Sequence, residues 1–106
     1  MKNIVITGST RGIGYAMAKE FLRKGCNVTF SGRHQNGLDP IREDLKEHQE
    51  QILYVPCNVQ DPIQLEHLYD ETEKHWGSVD SWIKNAGQNV PHKVINETDN
   101  LTTTAV

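Results

Sequence analysis

The sequence is short of several things, and each shortage removes a class of function. It has no long apolar run. The first one, Ile4-Val5-Ile6, stops at Thr7-Gly8. A membrane span needs ~20 apolar residues and a secretory leader core roughly 7–15, so neither a membrane partner nor a leader is expected. Cysteine is scarce: Cys26 and Cys57 are the whole supply, too far apart for a Cys-x-x-Cys motif. A disulfide framework or thiolate metal site is not expected, and a cytoplasmic chain with reduced thiols is. Positive charge is also in deficit. Eleven Lys and Arg stand against 14 Asp and Glu, for a net charge of -3. That balance argues against a nucleic-acid partner, which needs surplus cations to neutralise phosphates. It leaves room for one phosphorylated small molecule. The five histidines (His34, His48, His67, His75 and His92) include no His-x-x-x-His pair, so no metal site is expected. Neither a Gly-x-Ser-x-Gly elbow nor a Walker lysine occurs. Sequons at Asn27, Asn96 and Asn100 read as chance matches, since Asn27 opens an apolar strand.

What is present alternates. Lys2 to Thr7 is a short β-branched run ending at glycine, which predicts a parallel-sheet strand. From Gly12 to Lys24, Ile13, Ala16, Met17, Phe21 and Leu22 fall at helical spacing, and Gly25 stops the helix. Asn27 to Ser31 predicts a second strand. A polar loop with Gly37 and Pro40 follows, then a weak helix over Ile41 to Gln49. Gln51 to Cys57 predicts a third strand. Asp61-Pro62 reads as an N-cap and an N1 proline, opening a helix with Leu65, Leu68, Tyr69, Thr72 and Trp76 on one stripe and Gly77 as its stop. Ser81 to Lys84 predicts a fourth strand. The order βαβαβαβ implies an α/β fold, a parallel sheet with helical crossovers. Residues 1–87 are expected to form a half-domain of this kind, and 88–106 a polar tail leading onward.

The first strand runs straight into Thr7-Gly8-Ser9-Thr10-Arg11-Gly12-Ile13-Gly14 and then a helix. Glycines permit the tight turn and let backbone approach an anion. The free N–H groups and dipole of the new helix then hold it. A glycine-rich turn with no ligand is the plain alternative, and the strand-to-helix context weighs against it. The spacing is Gly-x-x-x-Gly-x-Gly. With Ser31-Gly32-Arg33 after the second strand, Asn58-Val59 after the third and Asn85-Ala86-Gly87 after the fourth, the chain resembles the short-chain dehydrogenase/reductase family from Lys2 to Gly87.

The resemblance implies a truncated, doubly wound parallel sheet of Rossmann type with strand order 3-2-1-4, and a dinucleotide cofactor held by Gly8, Ser9, Thr10, Arg11, Gly12, Ile13, Gly14, Arg33, Asn58, Val59, Asn85, Ala86 and Gly87. Two departures stand out: Asn58 replaces the family Asp that accepts from the adenine amino group, and Lys84 replaces the first Asn of the fourth-strand motif. Asn85 resembles the residue that ties the fourth strand to the first. The cofactor expected is NADP(H). A site for NAD places an acid about 20 residues past the glycines to take the ribose hydroxyls. Here that region reads Phe30-Ser31-Gly32-Arg33-His34, with no acid before Asp39. Arg33 and Arg11 can meet a 2′-phosphate instead, Arg33 with a bidentate fork.

Relatives of this kind move a hydride between nicotinamide and a carbonyl or alcohol using a Ser and a Tyr-x-x-x-Lys pair. Those residues would fall beyond Val106, so no catalytic residue is assigned and the chain is expected to be inactive alone. Tyr15 to Lys19 matches Tyr-x-x-x-Lys but lies on the first helix, away from any candidate Ser, and reads as coincidence. A non-catalytic dinucleotide-binding module and a non-functional truncated fragment remain the alternatives. A four-stranded half-sheet would leave its fourth strand as an open edge, so a homo-oligomer or association along that edge is expected.

Overall fold

Each strand-and-helix unit in the computed structural model follows from a stop signal in the chain; the structure describes residues 2–10, 12–34 and 37–85. Strand β1 (Asn3–Ile6) is buried throughout, and helix α1 (Gly12–Arg23) follows it. Helix α1 buries Gly14, Ala18 and Leu22, four residues apart and therefore on one stripe. It ends in a Schellman arrangement. Gly25 takes φ +90°, its N–H donates to the Leu22 carbonyl at 3.0 Å, and the Cys26 N–H donates to that of Phe21 at 3.0 Å. Strand β2 (Asn27–Gly32) and strand β3 (Ile52–Pro56) flank helix α2 (Leu38–Asp44). Helix α3 (Pro62–Trp76) starts where the Asp61 carboxylate accepts from the Ile63 N–H at 3.0 Å. It stops at Gly77, with φ +91°. Strand β4 (Ser81–Ile83) completes the described residues' sheet.

The sheet is parallel, in the order β3-β2-β1-β4. The register sets Ile6 beside Phe30 and Ile83, and Phe30 beside Tyr54. The carboxyl ends of all four strands therefore meet along one rim, which is where open α/β sheets bind ligands. Alternation along the strands splits the core in two. Ile4, Ile6, Val28 and Phe30 pack under α1 and α2, while Val5, Val55 and Trp82 pack under α3. Right-handed crossovers force this split, because the chain reverses its direction of travel across the sheet after β3. The Thr72 hydroxyl on α3 meets the Thr29 hydroxyl on β2 at 2.9 Å, which satisfies both inside the layer.

One element departs from expectation. The weak helix expected over Ile41 to Gln49 is two pieces: α2 begins at Leu38, and a 3₁₀ stretch runs from Lys46 to Gln51 with a kink at His48. Pro40 does not block the start, because it sits in the first turn, where N–H groups have no intrahelical partner to lose. Beyond the buried Leu45 no side chain of the 3₁₀ stretch is buried. Nothing there holds an α-helix against the sheet. The tail expected over 88–106 lies outside the described residues.

Candidate functional site

After β1 the chain turns at Gly8 with φ +62° and enters α1 at Gly12 with φ +66°. Both angles lie in the left-handed region that glycine adopts freely. The glycines do different work. A Cβ on Gly14 would stand 2.6 Å from the Gly8 carbonyl and 2.6 Å from the Asn85 amide nitrogen, so its missing side chain is what seats α1 on the turn. A Cβ on Gly12 would meet no described atom within 4 Å. Among the described residues the space over Gly12 is open, beside the first-turn N–H groups of α1, which have no intrahelical acceptor. The first turn of α1 carries no acidic side chain to compete for them. Ile13 in that turn is 64% exposed, an unusual place for a large apolar side chain.

A cleft of about 270 Å³ opens on this rim, lined by Gly8, Thr10, Gly32, Arg33 and His34. Among these described residues there is no carboxylate, and Arg33 is exposed. Asn85 fastens the floor. Its backbone N–H donates to the Thr7 hydroxyl at 3.1 Å and its side-chain amide donates to the Gly8 carbonyl at 3.0 Å. The end of β4 is thus tied to the glycine turn.

Other expected site residues are placed differently. Ser9 is fully buried. Its hydroxyl donates to the Ile6 carbonyl at 2.6 Å and accepts from the Ser31 N–H at 3.0 Å, while its own N–H donates to the Ser31 carbonyl at 3.1 Å. Ser9 is a strut between the ends of β1 and β2, and it is not among the residues that line the cleft. Asn58 and Val59 are half-buried and do not line the cleft. The Asn58 side-chain oxygen already accepts from the Gln60 N–H at 3.0 Å, and its second lone pair is left for another donor. Arg11, Ala86 and Gly87 lie outside the described residues.

Sequence reasoning missed Tyr54. Its hydroxyl donates to the His34 carbonyl at 2.5 Å, directly behind the cleft wall. Nothing local marks it: it looks like any strand tyrosine.

Tyr15 and Lys19 do not form a proton-transfer pair. The Tyr15 phenol donates to the Asp44 carboxylate, and the Lys19 ammonium lies 5.0 Å from the Tyr15 ring centroid. Burial, then the hydrogen bond and charge of Asp44, push the Tyr15 pKa up to about 12. A general acid/base at neutral pH needs the opposite shift. Cys57 is equally unsuited to attack: burial pushes its thiol up, opposed by the Ser31 hydroxyl. Among the described residues no cluster of His, Cys, Asp or Glu could hold a metal ion, and no helix is long and apolar enough to cross a membrane.

Comparison with known proteins agrees with this geometry. The family described as short chain dehydrogenase matches residues 2–106. The chlorophyll(ide) b reductase NOL of Oryza sativa subsp. japonica, a chloroplastic protein, is 38% identical over 89 residues, covering 82% of this chain and 26% of that protein. A short chain dehydrogenase from Bacillus anthracis superposes with TM-score 0.74 at 28% identity, covering 80% of this chain and 34% of its own. The actinorhodin polyketide ketoreductase, solved with NADPH, gives TM-score 0.73 at 28% identity, covering 82% and 33%. The chain spans about a quarter of the length of the first of these relatives.

Proposed function

The chain belongs to the short-chain dehydrogenase family, and we propose that its described residues form the NADP(H)-binding portion of an oxidoreductase that moves a hydride between nicotinamide and a carbonyl or alcohol. The observation that carries the proposal is Arg33 on the wall of a cleft whose described lining holds no carboxylate. A 2′-phosphate there gains a charge-assisted, bidentate partner and meets no like charge. The open space over Gly12 and the donors of α1 suit the pyrophosphate. The exposed Ile13 offers apolar contact to a flat ring. When bound, the nicotinamide supplies the hydride chemistry. This chain's residues bind it, orient it and select it: Arg33 for the phosphate, Asn85 and Gly14 for the shape of the turn. The NADPH in the actinorhodin ketoreductase structure supports the cofactor reading.

Two further parts belong to the same proposal. Association along β4 is supported by its pairing with β1 on one side and with no described strand on the other. A reducing compartment, the cytoplasm in the first instance, is supported by two free thiols buried to different degrees on opposite faces of the sheet.

The test is Arg33→Ala. Losing a charge-assisted phosphate contact should weaken NADPH binding about ten- to a hundredfold and leave NADH little changed. Fluorescence titration with both nucleotides reads the result. Equal weakening of the two would remove Arg33 from the phosphate site.

A further inference from the structure

The described residues around Arg33, Gly32 to His34 and then Gly37, close on one side chain. Tyr54 is on β3, paired with Phe30 of β2, and its ring packs against the α1-side core. Its hydroxyl reaches past the end of β2 to the His34 carbonyl at 2.5 Å. That carbonyl also accepts from the Gly37 N–H, at the longer distance of 3.3 Å. The backbone closes tightly over the phenol on both sides of Arg33. A Cβ on Gly32 would stand 3.0 Å from the Tyr54 oxygen and 2.8 Å from the Thr10 methyl. A Cβ on Gly37 would come closer still to the same oxygen and 2.9 Å from the ring carbon that bears it. Glycine at both places is what lets the backbone there come this close to the hydroxyl. Of the cleft's lining residues, Gly32 is held to β3 by the ladder itself, its carbonyl accepting from the Cys57 N–H at 2.8 Å, while His34, just past the end of β2, is tied to β3 through the Tyr54 oxygen; Arg33 lies between these two anchors. Thr10, from the glycine turn, packs against the same glycine.

We propose that Tyr54 is a positioning residue for cofactor selection: its hydroxyl holds the Gly32-to-His34 wall at the height where Arg33 meets a 2′-phosphate. The inference rests on the NADP(H) reading of the cleft. An exposed arginine on an untethered loop loses side-chain and backbone freedom when it grips an anion, and that loss subtracts from affinity. A loop already tied loses less. Burial raises the pKa of the Tyr54 phenol, so the group remains a donor at neutral pH.

The experiment is a double-mutant cycle on the 106-residue chain: parent, Tyr54→Phe, Arg33→Ala and the pair, each titrated with NADPH and with NADH. Tyr54→Phe keeps the ring and removes one oxygen. It should weaken NADPH roughly three- to tenfold, the scale of one lost hydrogen bond. NADH should hardly change, and the NADH titration doubles as a check that the variant is folded. In the Arg33→Ala background the Tyr54→Phe change should have little further effect on NADPH, because the group it positions is gone. Equal weakening of both nucleotides by Tyr54→Phe overturns the proposal, since that is what a merely structural role does. So does full additivity in the cycle, or no effect of Tyr54→Phe while Arg33→Ala still costs NADPH. If Arg33→Ala itself fails to discriminate the nucleotides, the NADP(H) reading falls, and the role of Tyr54 falls with it.

Discussion

A single methyl group at position 14 is expected to damage this chain more than any other change of that size in the glycine turn. Gly14 has helical backbone that alanine tolerates, so propensity alone favours the substitution. Space forbids it. The new Cβ would stand 2.6 Å from the Gly8 carbonyl and 3.1 Å from the Ser9 Cα, both backbone atoms, as well as 2.6 Å from the Asn85 amide. Backbone cannot swing aside as a side-chain tip can. Either α1 lifts off the turn or the turn opens, and both break the Asn85 bond to the Gly8 carbonyl. Overpacking of this kind costs typically about 1–3 kcal/mol. Gly14→Ala should therefore lower the melting temperature by several degrees and weaken NADPH and NADH together, since both use the same pyrophosphate cradle. Circular dichroism melts and the two titrations check it. A variant that melts and binds like the parent would show that α1 is seated elsewhere.

The largest loss of stability should come from Trp82. It is the largest fully buried side chain, it lies on β4, and it anchors the cluster of Val5, Val55, Cys57, Leu65, Leu68 and Tyr69 beneath α3. Trp82→Ala removes an aromatic system from that cluster and leaves a cavity, which costs about 3–5 kcal/mol. Small domains have only ~5–15 kcal/mol in total, so the variant should lose a large fraction of its stability and, at the low end of that range, unfold at room temperature. Trp82→Phe should be much milder. The indole N–H of Trp82 has no hydrogen-bond partner among the described residues, and its removal relieves part of the packing loss. Urea titration of the three chains orders them: parent, then Phe, then Ala. An alanine variant within about 1 kcal/mol of the parent would contradict the placement of Trp82 in the core.

Much of this was readable from the residues because it is local. The glycine turn, the Asp61-Pro62 helix start and the Gly25 and Gly77 stops are short-range signals, and the unbroken apolar run Ile4-Val5-Ile6 reports the two-sided burial of β1. The strand order came with the family resemblance, and the crossover rule then places α1 and α2 on one face of the sheet and α3 on the other. Spacing says least where a residue's neighbours lie far along the chain. Ser9 is expected at the cofactor by its place in the motif, and its bond with Ser31, 22 positions away, whose N–H donates to the Ser9 hydroxyl, is not encoded there. The pattern does not print what surrounds each glycine: the Gly8 carbonyl, the Ser9 backbone and the Asn85 amide crowd Gly14, and no described atom crowds Gly12. Tyr54 meets the loop 20 residues before it, a contact that no spacing rule encodes. Leu38 starts α2 because Pro40 falls in the first turn, where a proline reads equally well as a breaker.

The central claim is that this cleft selects NADP(H) through its 2′-phosphate, and the most direct measurement is the parent chain titrated in parallel with NADPH and NADH at low and at raised salt. NADPH should bind at least about tenfold more tightly at low salt. The gap should narrow as salt screens the exposed Arg33. Equal affinities, or tighter binding of NADH, would contradict the claim.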